Sequence, residues 1–151
     1  MNDDKYYMGL AIEEAKKAAQ SDEVPVGAVI KDGQGKVIGK GFNHPISSSD
    51  PTSHAEINAI REASLVLRNY RLVNTTLYVT IEPCIMCMGA IIHARIKRVV
   101  YGAADKKWGA ASSLYKMGRD DRLNHQVEVE PGIMEAETRK LMKVFFQNKR
   151  S

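Results

Sequence analysis

The chain has 151 residues, 44% hydrophobic and 26% charged, which suits one globular domain with a well-filled core. It has no run of about 18 apolar residues that could cross a membrane, and its start, Met1-Asn2-Asp3-Asp4, lacks a signal-peptide pattern, so a cytoplasmic location is expected. The net charge of +4 permits a phosphate-bearing partner without requiring one.

From Asp3 to Ala19, apolar Tyr7, Leu10, Ala11, Ala15 and Ala18 fall at helical spacing and predict an amphipathic helix. Val26–Ile30 and Val37–Phe42 read as two strands joined by the turn Asp32-Gly33-Gln34-Gly35, a hairpin. A Pro- and Ser-rich loop, Asn43 to Ser53, comes next. It leads into a helix from His54 to Leu67, with Thr52 and Ser53 as candidate caps. Thr76–Ile81 is a strand, after which Pro83 opens a helix running to His93. Arg98–Gly102 is a short, apolar, central strand, and Ala103–Asp121 reads as loop with one short helix. Gln126–Val129 forms a fifth strand, and Met134–Lys149 a final helix with Leu141, Val144 and Phe145 on its inner face. Strands interleaved with helices imply an α/β fold, one five-stranded sheet covered on both sides, and the opening hairpin makes that sheet mixed.

Two short motifs carry chemistry, His54-Ala55-Glu56 and Pro83-Cys84-Ile85-Met86-Cys87. The closeness of the two cysteines argues against a disulfide framework and for a reducing compartment. Zinc takes tetrahedral nitrogen and sulfur ligands, and a catalytic site uses three from protein, leaving one position for water. Thiols at i and i+3 share a helix face and converge on one ion, and a helix N-terminus favours their anionic form. His54 and Glu56, two apart, would point to opposite sides of a regular helix. Both are therefore placed at the helix tip, leaning over its end, with Glu56 beside the metal's water and not bound to the metal. By chance the two motifs would coincide on the order of a few times in ten thousand chains of this length. The rival is a closed structural zinc site, which needs a fourth ligand. His93 points away from the cysteines, while His44 and His125 stay open as candidates.

At these residues the chain resembles the zinc-dependent cytidine deaminase superfamily, whose pattern is H-x-E followed by P-C-x-x-C. Within it, the chain is similar to the bacterial tRNA adenosine deaminases through EVPVGAVI, DPTSHAEINAI, NYRLVNTTLYVTIEPCIMCMGAIIHARIKRVVYGA, LNHQVEV and KVFFQNKR. The resemblance implies the superfamily's three-layer α/β/α sandwich as a single domain over residues 1–151. It implies one zinc per subunit held by His54, Cys84 and Cys87, and Glu56 as the proton shuttle. The implied reaction converts adenosine to inosine at the wobble position of a tRNA anticodon stem-loop, in a homodimer.

The same resemblance points to Asn43, Val29, Asp105, Lys107 and Phe146 as substrate contacts. Read without it, Asn43 is a loop residue bonding its own backbone, Val29 is ordinary core, and Asp105 and Lys107 are solvated loop charges. Arg139, Lys140, Lys143, Lys149 and Arg150 along the last helix would meet tRNA phosphates. Two other readings stay open. One is a zinc deaminase of a free base or nucleoside such as guanine or cytosine. The other is a non-catalytic zinc-stabilised nucleic-acid-binding module, which would have no use for Glu56.

Overall fold

The computed structural model describes residues 3–150, the side chain of Arg150 excepted. Among the described residues five α-helices, α1 (Asp4–Gln20), α2 (Pro45–Ser48), α3 (Ala55–Leu67), α4 (Ile85–His93) and α5 (Glu135–Arg150), are interspersed with five strands. The short helix expected between Ala103 and Asp121 is a 3-10 turn, Met117–Arg119. The strands are β1 (Gly27–Lys31), β2 (Val37–Phe42), β3 (Thr76–Ile81), β4 (Arg98–Ala103) and β5 (Glu128–Glu130). They form one sheet in the order β2-β1-β3-β4-β5. β1 runs antiparallel to both β2 and β3, while β3, β4 and β5 are parallel, so the sheet is mixed.

Alternation along the strands assigns the two faces. Ala28, Ile30, Leu77, Val79, Val99 and Tyr101 pack with Ala55, Ala59 and Ala63 of α3 and with Met88, Ile91 and Ile92 of α4. Their neighbours Val29, Tyr78 and Val100 face the other way, against Tyr7, Met8, Ala11 and Ile12 of α1 and Leu141 of α5. The result is an α/β/α sandwich with both sheet faces dry, so the central strands read as continuous apolar runs.

Helix α3 lies on β2 at backbone distance. A Cβ on Gly41 would sit 2.6 Å from the Ala59 amide nitrogen and on the Ala55 carbonyl, and one on Gly39 would strike the Ala59 carbonyl. Glycine in the strand and alanine on the helix remove every side chain that would hold the two apart. This seat fixes the N-terminal end of α3 over the last residues of β2.

Several boundaries differ from those predicted, and the physical causes are local. The loop after β2 contains α2, a single turn with Pro45 at its start, too short to leave a periodic signal. Thr52 and Ser53 do not cap α3, whose cap position is His54. Thr52 instead bonds the Asp50 carboxylate through its amide and hydroxyl, at 2.9 and 2.7 Å. The Ser53 hydroxyl is engaged with His44 and Asn58 at 3.1 Å each. Pro83 precedes the helix without entering it, and Cys84 takes the cap position of α4 in extended conformation. β1 is displaced by one residue, to Gly27–Lys31, and β5 by up to two, to Glu128–Glu130. On α5, Leu141 packs inward as expected, but Val144 is exposed.

Candidate active site

The ends of the central strands converge on one edge of the sheet. β3 runs into Glu82-Pro83-Cys84, β4 into the segment 104–115, and β2 ends at Asn43. Because β1 is antiparallel to β3, the residues leading into it, Val24 and Val26, come to the same edge. A cavity of about 740 Å³ opens there, lined among others by Asn43, His54, Glu56, Cys84, Asp105 and Lys107. Its place beyond the carboxyl ends of parallel strands is the usual ligand position in open α/β sheets.

Two helix starts face each other across this cavity. His54 caps α3 in extended conformation (φ −86, ψ 155), which frees its ring from the helix side and turns it toward the cysteines. Cys84 caps α4 and Cys87 lies in its first turn. His54 Nδ1 is 3.7 Å from Cys84 Sγ and 3.4 Å from Cys87 Sγ. A tetrahedral zinc with bonds of about 2.3 Å to sulfur and 2.05 Å to nitrogen sets such ligands about 3.6 Å apart. The two observed distances bracket that value, and all three ligand atoms lie within 4.8 Å of one another, so the donor set suits zinc.

Among the described residues this is the one group of three or more His, Cys, Asp or Glu side chains with ligand atoms mutually close enough for a metal. The histidines left open as fourth ligands are occupied elsewhere. His44 bonds Ser53 at 3.1 Å and Asn58 at 3.2 Å, and His125 bonds the Ile96 carbonyl at 2.7 Å. His93, at the far end of α4, is exposed. The set offers three ligands, the number a catalytic zinc site uses.

The electrostatics suit cation binding and proton transfer together. The Cys87 thiol beside Cys84 holds the Cys84 thiol down at about 4, with His54 helping, while burial opposes the shift. The same hydrogen bond between the two sulfurs, with burial and nearby Glu56, pushes Cys87 up. The pair thus divides one proton, and a dication is the partner that lets both sulfurs be thiolates. His54 is raised, chiefly by its bond to Cys84. Glu56, only 4% exposed in the first turn of α3, is pushed up to about 7, chiefly by burial. A carboxyl poised near neutrality can both accept and return a proton.

Of the other residues singled out in the sequence, Asn43, Asp105 and Lys107 line the cavity. Asn43 is buried, its backbone N–H donating to the Val26 carbonyl at 3.0 Å. The Asp105 carboxylate accepts the amides of Lys107 and Trp108 at 3.0 and 3.1 Å, which shapes the rim. Val29 is not in the cavity wall: it is wholly buried in the core beneath α1, on the opposite sheet face. Phe146 does not line the cavity either. It is 41% exposed against Phe145, and α5 reaches the cavity through Met142 instead. The basic residues of α5 lie outside the cavity: Arg139 pairs with Glu135 and Lys149 with Asp22, each at 2.6 Å. Arg150's side chain lies outside the described residues. Sequence reading missed Trp108 and Tyr115, both exposed at the cavity rim, and Glu82 beneath it. Trp108, the one tryptophan in the chain, stands in a polar, Gly- and Ser-containing stretch, and that contrast is the signal that could have found it.

Residues 1–103 match the cytidine and deoxycytidylate deaminase zinc-binding region. Over 147 residues, 97% of this chain and 85% of the relative, the sequence is 48% identical to the tRNA-specific adenosine deaminase of Haemophilus influenzae. The chain belongs to the tRNA-specific adenosine deaminase family. A solved structure from work on A-to-I editing by tRNA:A34 deaminases superposes with a TM-score of 0.86 at 42% identity, covering 90% of this chain and 98% of that one. Guanine deaminase from Bacillus subtilis matches less fully, with a TM-score of 0.64 at 42% identity over 69% of this chain and 66% of that one. As a member of this family the protein is a zinc-dependent hydrolase with one zinc per subunit, and the deaminase fold is the α/β/α sandwich described above.

Proposed function

We propose that the protein deaminates adenosine to inosine at the wobble position of a tRNA anticodon stem-loop. The observation that carries this is the His54, Cys84, Cys87 array with Glu56 beside it at the floor of a cavity. Near-full-length identity to a tRNA-specific adenosine deaminase supports the substrate. His54, Cys84 and Cys87 are assigned as the ligands. Zinc held by them supplies Lewis acidity toward a water.

Glu56 does the proton work. It takes a proton from the attacking water, whose oxygen bonds to C6 of the purine, and delivers it to the ring nitrogen. Glu56 then takes the proton of the new C6 hydroxyl and passes it to the departing amine; as the C6–N bond breaks the C6=O bond forms, so ammonia leaves and inosine remains. Burial disfavours the charged form of Glu56, which makes the carboxyl a better base for taking up the proton it then passes on.

Asn43, Asp105 and Lys107 are assigned as substrate contacts, since they line the same cavity. A nucleotide in a loop is cheap to unstack and insert into such a cavity. Trp108, 70% exposed at its mouth, offers a face for a neighbouring base.

The whole chain is taken as one domain: α5, beyond the matched region 1–103, supplies Met142 to the cavity and Leu141 to the core. No described helix is long and apolar enough to cross a membrane, and the cytoplasm, where tRNA is used, is the proposed location. A homodimer is the proposed assembly, supported by exposed Leu65, Val66, Leu67, Tyr70 and Val73 at and beyond the end of α3. Light scattering tests that assembly.

The deciding assay incubates the zinc-loaded protein with a transcribed anticodon stem-loop bearing adenosine at the wobble position, and with free guanine and cytosine. Inosine in the stem-loop is expected. Efficient turnover of the free bases with an unchanged stem-loop would transfer the chemistry to a small substrate.

A further inference from the structure

Glu82 lies between β3 and the cysteine motif, 4% exposed, and the reaction above gives it no task. Its carboxylate is bonded on both oxygens. Oε1 accepts the Asp105 amide at 3.1 Å and the Ser113 hydroxyl, and Oε2 accepts the Ser112 and Ser113 amides at 2.8 and 2.9 Å. All four donors come from the segment after β4 that carries Asp105, Lys107, Trp108, Leu114 and Tyr115 along the cavity rim.

The rest of that segment is wound onto the same anchor. The Ala110 amide bonds the Pro83 carbonyl at 2.8 Å, one residue before Cys84. The Gly109 carbonyl closes the loop by accepting the Leu114 and Tyr115 amides at 3.0 and 3.1 Å. At Gly109 an added Cβ would collide with the Glu82 carboxyl and the Asp105 carbonyl, so the loop packs directly on the carboxylate. The segment is also held by the buried Ala110 and Ala111, by a hydrogen bond between the Tyr101 and Ser112 hydroxyls and by the bonds Asp105 accepts, while Lys107, Trp108, Leu114 and Tyr115 at the rim are exposed.

We infer that Glu82 is a positioning residue that ties the substrate-facing rim to the cysteine end of the metal site, fixing how substrate enters without joining the proton transfers. A buried carboxylate accepting four bonds replaces the contacts a loop of this polarity would otherwise make to water. It also sets the distance between rim and metal ligands through a single residue step, Pro83. The inference rests on the substrate reading proposed above.

The test uses the zinc-loaded protein with Glu82→Gln, which turns one acceptor oxygen into a donor facing backbone amides, and Gly109→Ala, which displaces the loop from the other side. Both variants are expected to keep one zinc per chain by metal analysis. Amide hydrogen exchange should quicken at Ser112 and Ser113 while α3 and α4 stay protected. KM for the stem-loop should rise about tenfold, the scale of one charge-assisted hydrogen bond, with kcat held within about threefold. Ser113→Ala, which removes only the hydroxyl donor, should shift KM in the same direction by less, and it carries the test if the others fail to fold. Retained protection at Ser112 and Ser113 in Glu82→Gln overturns the inference, and so does a fall in kcat matching the rise in KM. A wild-type protein that leaves the stem-loop unconverted overturns the substrate reading, while the exchange measurement still decides the clamp.

Discussion

Replacing Arg98 with Met tests how α1 is fastened to the sheet. Arg98, at the start of β4, grips Asp4 of α1 with both guanidinium nitrogens, at 2.8 and 2.7 Å, and the Tyr78 hydroxyl donates to the same carboxylate at 2.9 Å. Asp4 is 2% exposed, so methionine would leave its carboxylate in the core without the cation. Removing one partner of a fully buried pair costs about 3–5 kcal/mol. The Arg98 side chain is 28% exposed, which lowers the expected loss to about 2–3 kcal/mol. In a chain this size each kcal/mol moves Tm by about 2–4 °C, so a fall of about 5–10 °C at pH 7 is expected by calorimetry.

The pH dependence supplies an independent check. The Arg98 hydrogen bond, with Tyr78, holds Asp4 below the usual carboxylate range against the opposing effect of burial. A depressed folded pKa gives stability that is present above the unfolded value and lost as pH falls through the folded one. In the variant the same carboxyl, buried without its cation, takes up a proton at higher pH. The gap between wild type and variant must therefore shrink from about pH 5 downward. A Tm loss under about 2 °C, or a gap unchanged down to pH 3.5, would refute the account.

Glu56→Gln should keep fold and zinc but lower kcat by about 10²–10⁴-fold or more, since the amide cannot shuttle protons; turnover within tenfold of wild type removes Glu56 from the mechanism. Cys87→Ala should lose the metal and lower Tm, because binding free energy is also folding free energy; full zinc in the Cys84/Cys87 double alanine variant would end the ligand assignment. Trp108→Ala should raise KM for the stem-loop by roughly 5–100-fold, the range of one base–aromatic stack, with zinc content unchanged. An unaltered KM would leave that indole without a role in binding.

The ligand set was legible because its chemistry is written in short, rigid spacings. A cap residue and a first-turn residue on each of two helices need only a few positions of sequence. The candidate ligands His54, Cys84 and Cys87, with Glu56 beside them, all lie at the two helix starts, Cys84 at the cap position and not inside the helix that Pro83 was expected to open. Substrate-facing residues were harder. Val29 lies in a strand buried on both faces, so alternation gives no way to tell core from cavity. Phe145 and Phe146 differ by about 100° on a helix whose phase against the sheet is set by Leu141 and by contacts distant in sequence. Glu82 reads as an ordinary acidic residue until the chain after β4 folds back onto it. The α/β/α layering, by contrast, follows from the interleaved strand and helix periods, and apart from shifted element ends only the single turn α2 was unforeseen.

The backbone seat of α3 on Gly39 and Gly41 makes the two halves of the ligand set mechanically unlike. His54 rides on a helix stopped by main-chain atoms, which cannot be repacked. Cys84 and Cys87 ride on α4, cushioned by Met88, Ile91 and Ile92. Conservative exchanges among those three would let α4 rise or settle by fractions of an ångström, while the histidine end stays where it is. Sulfur-to-nitrogen spacing, and with it the choice of metal, is thus adjustable from one side of the cavity only.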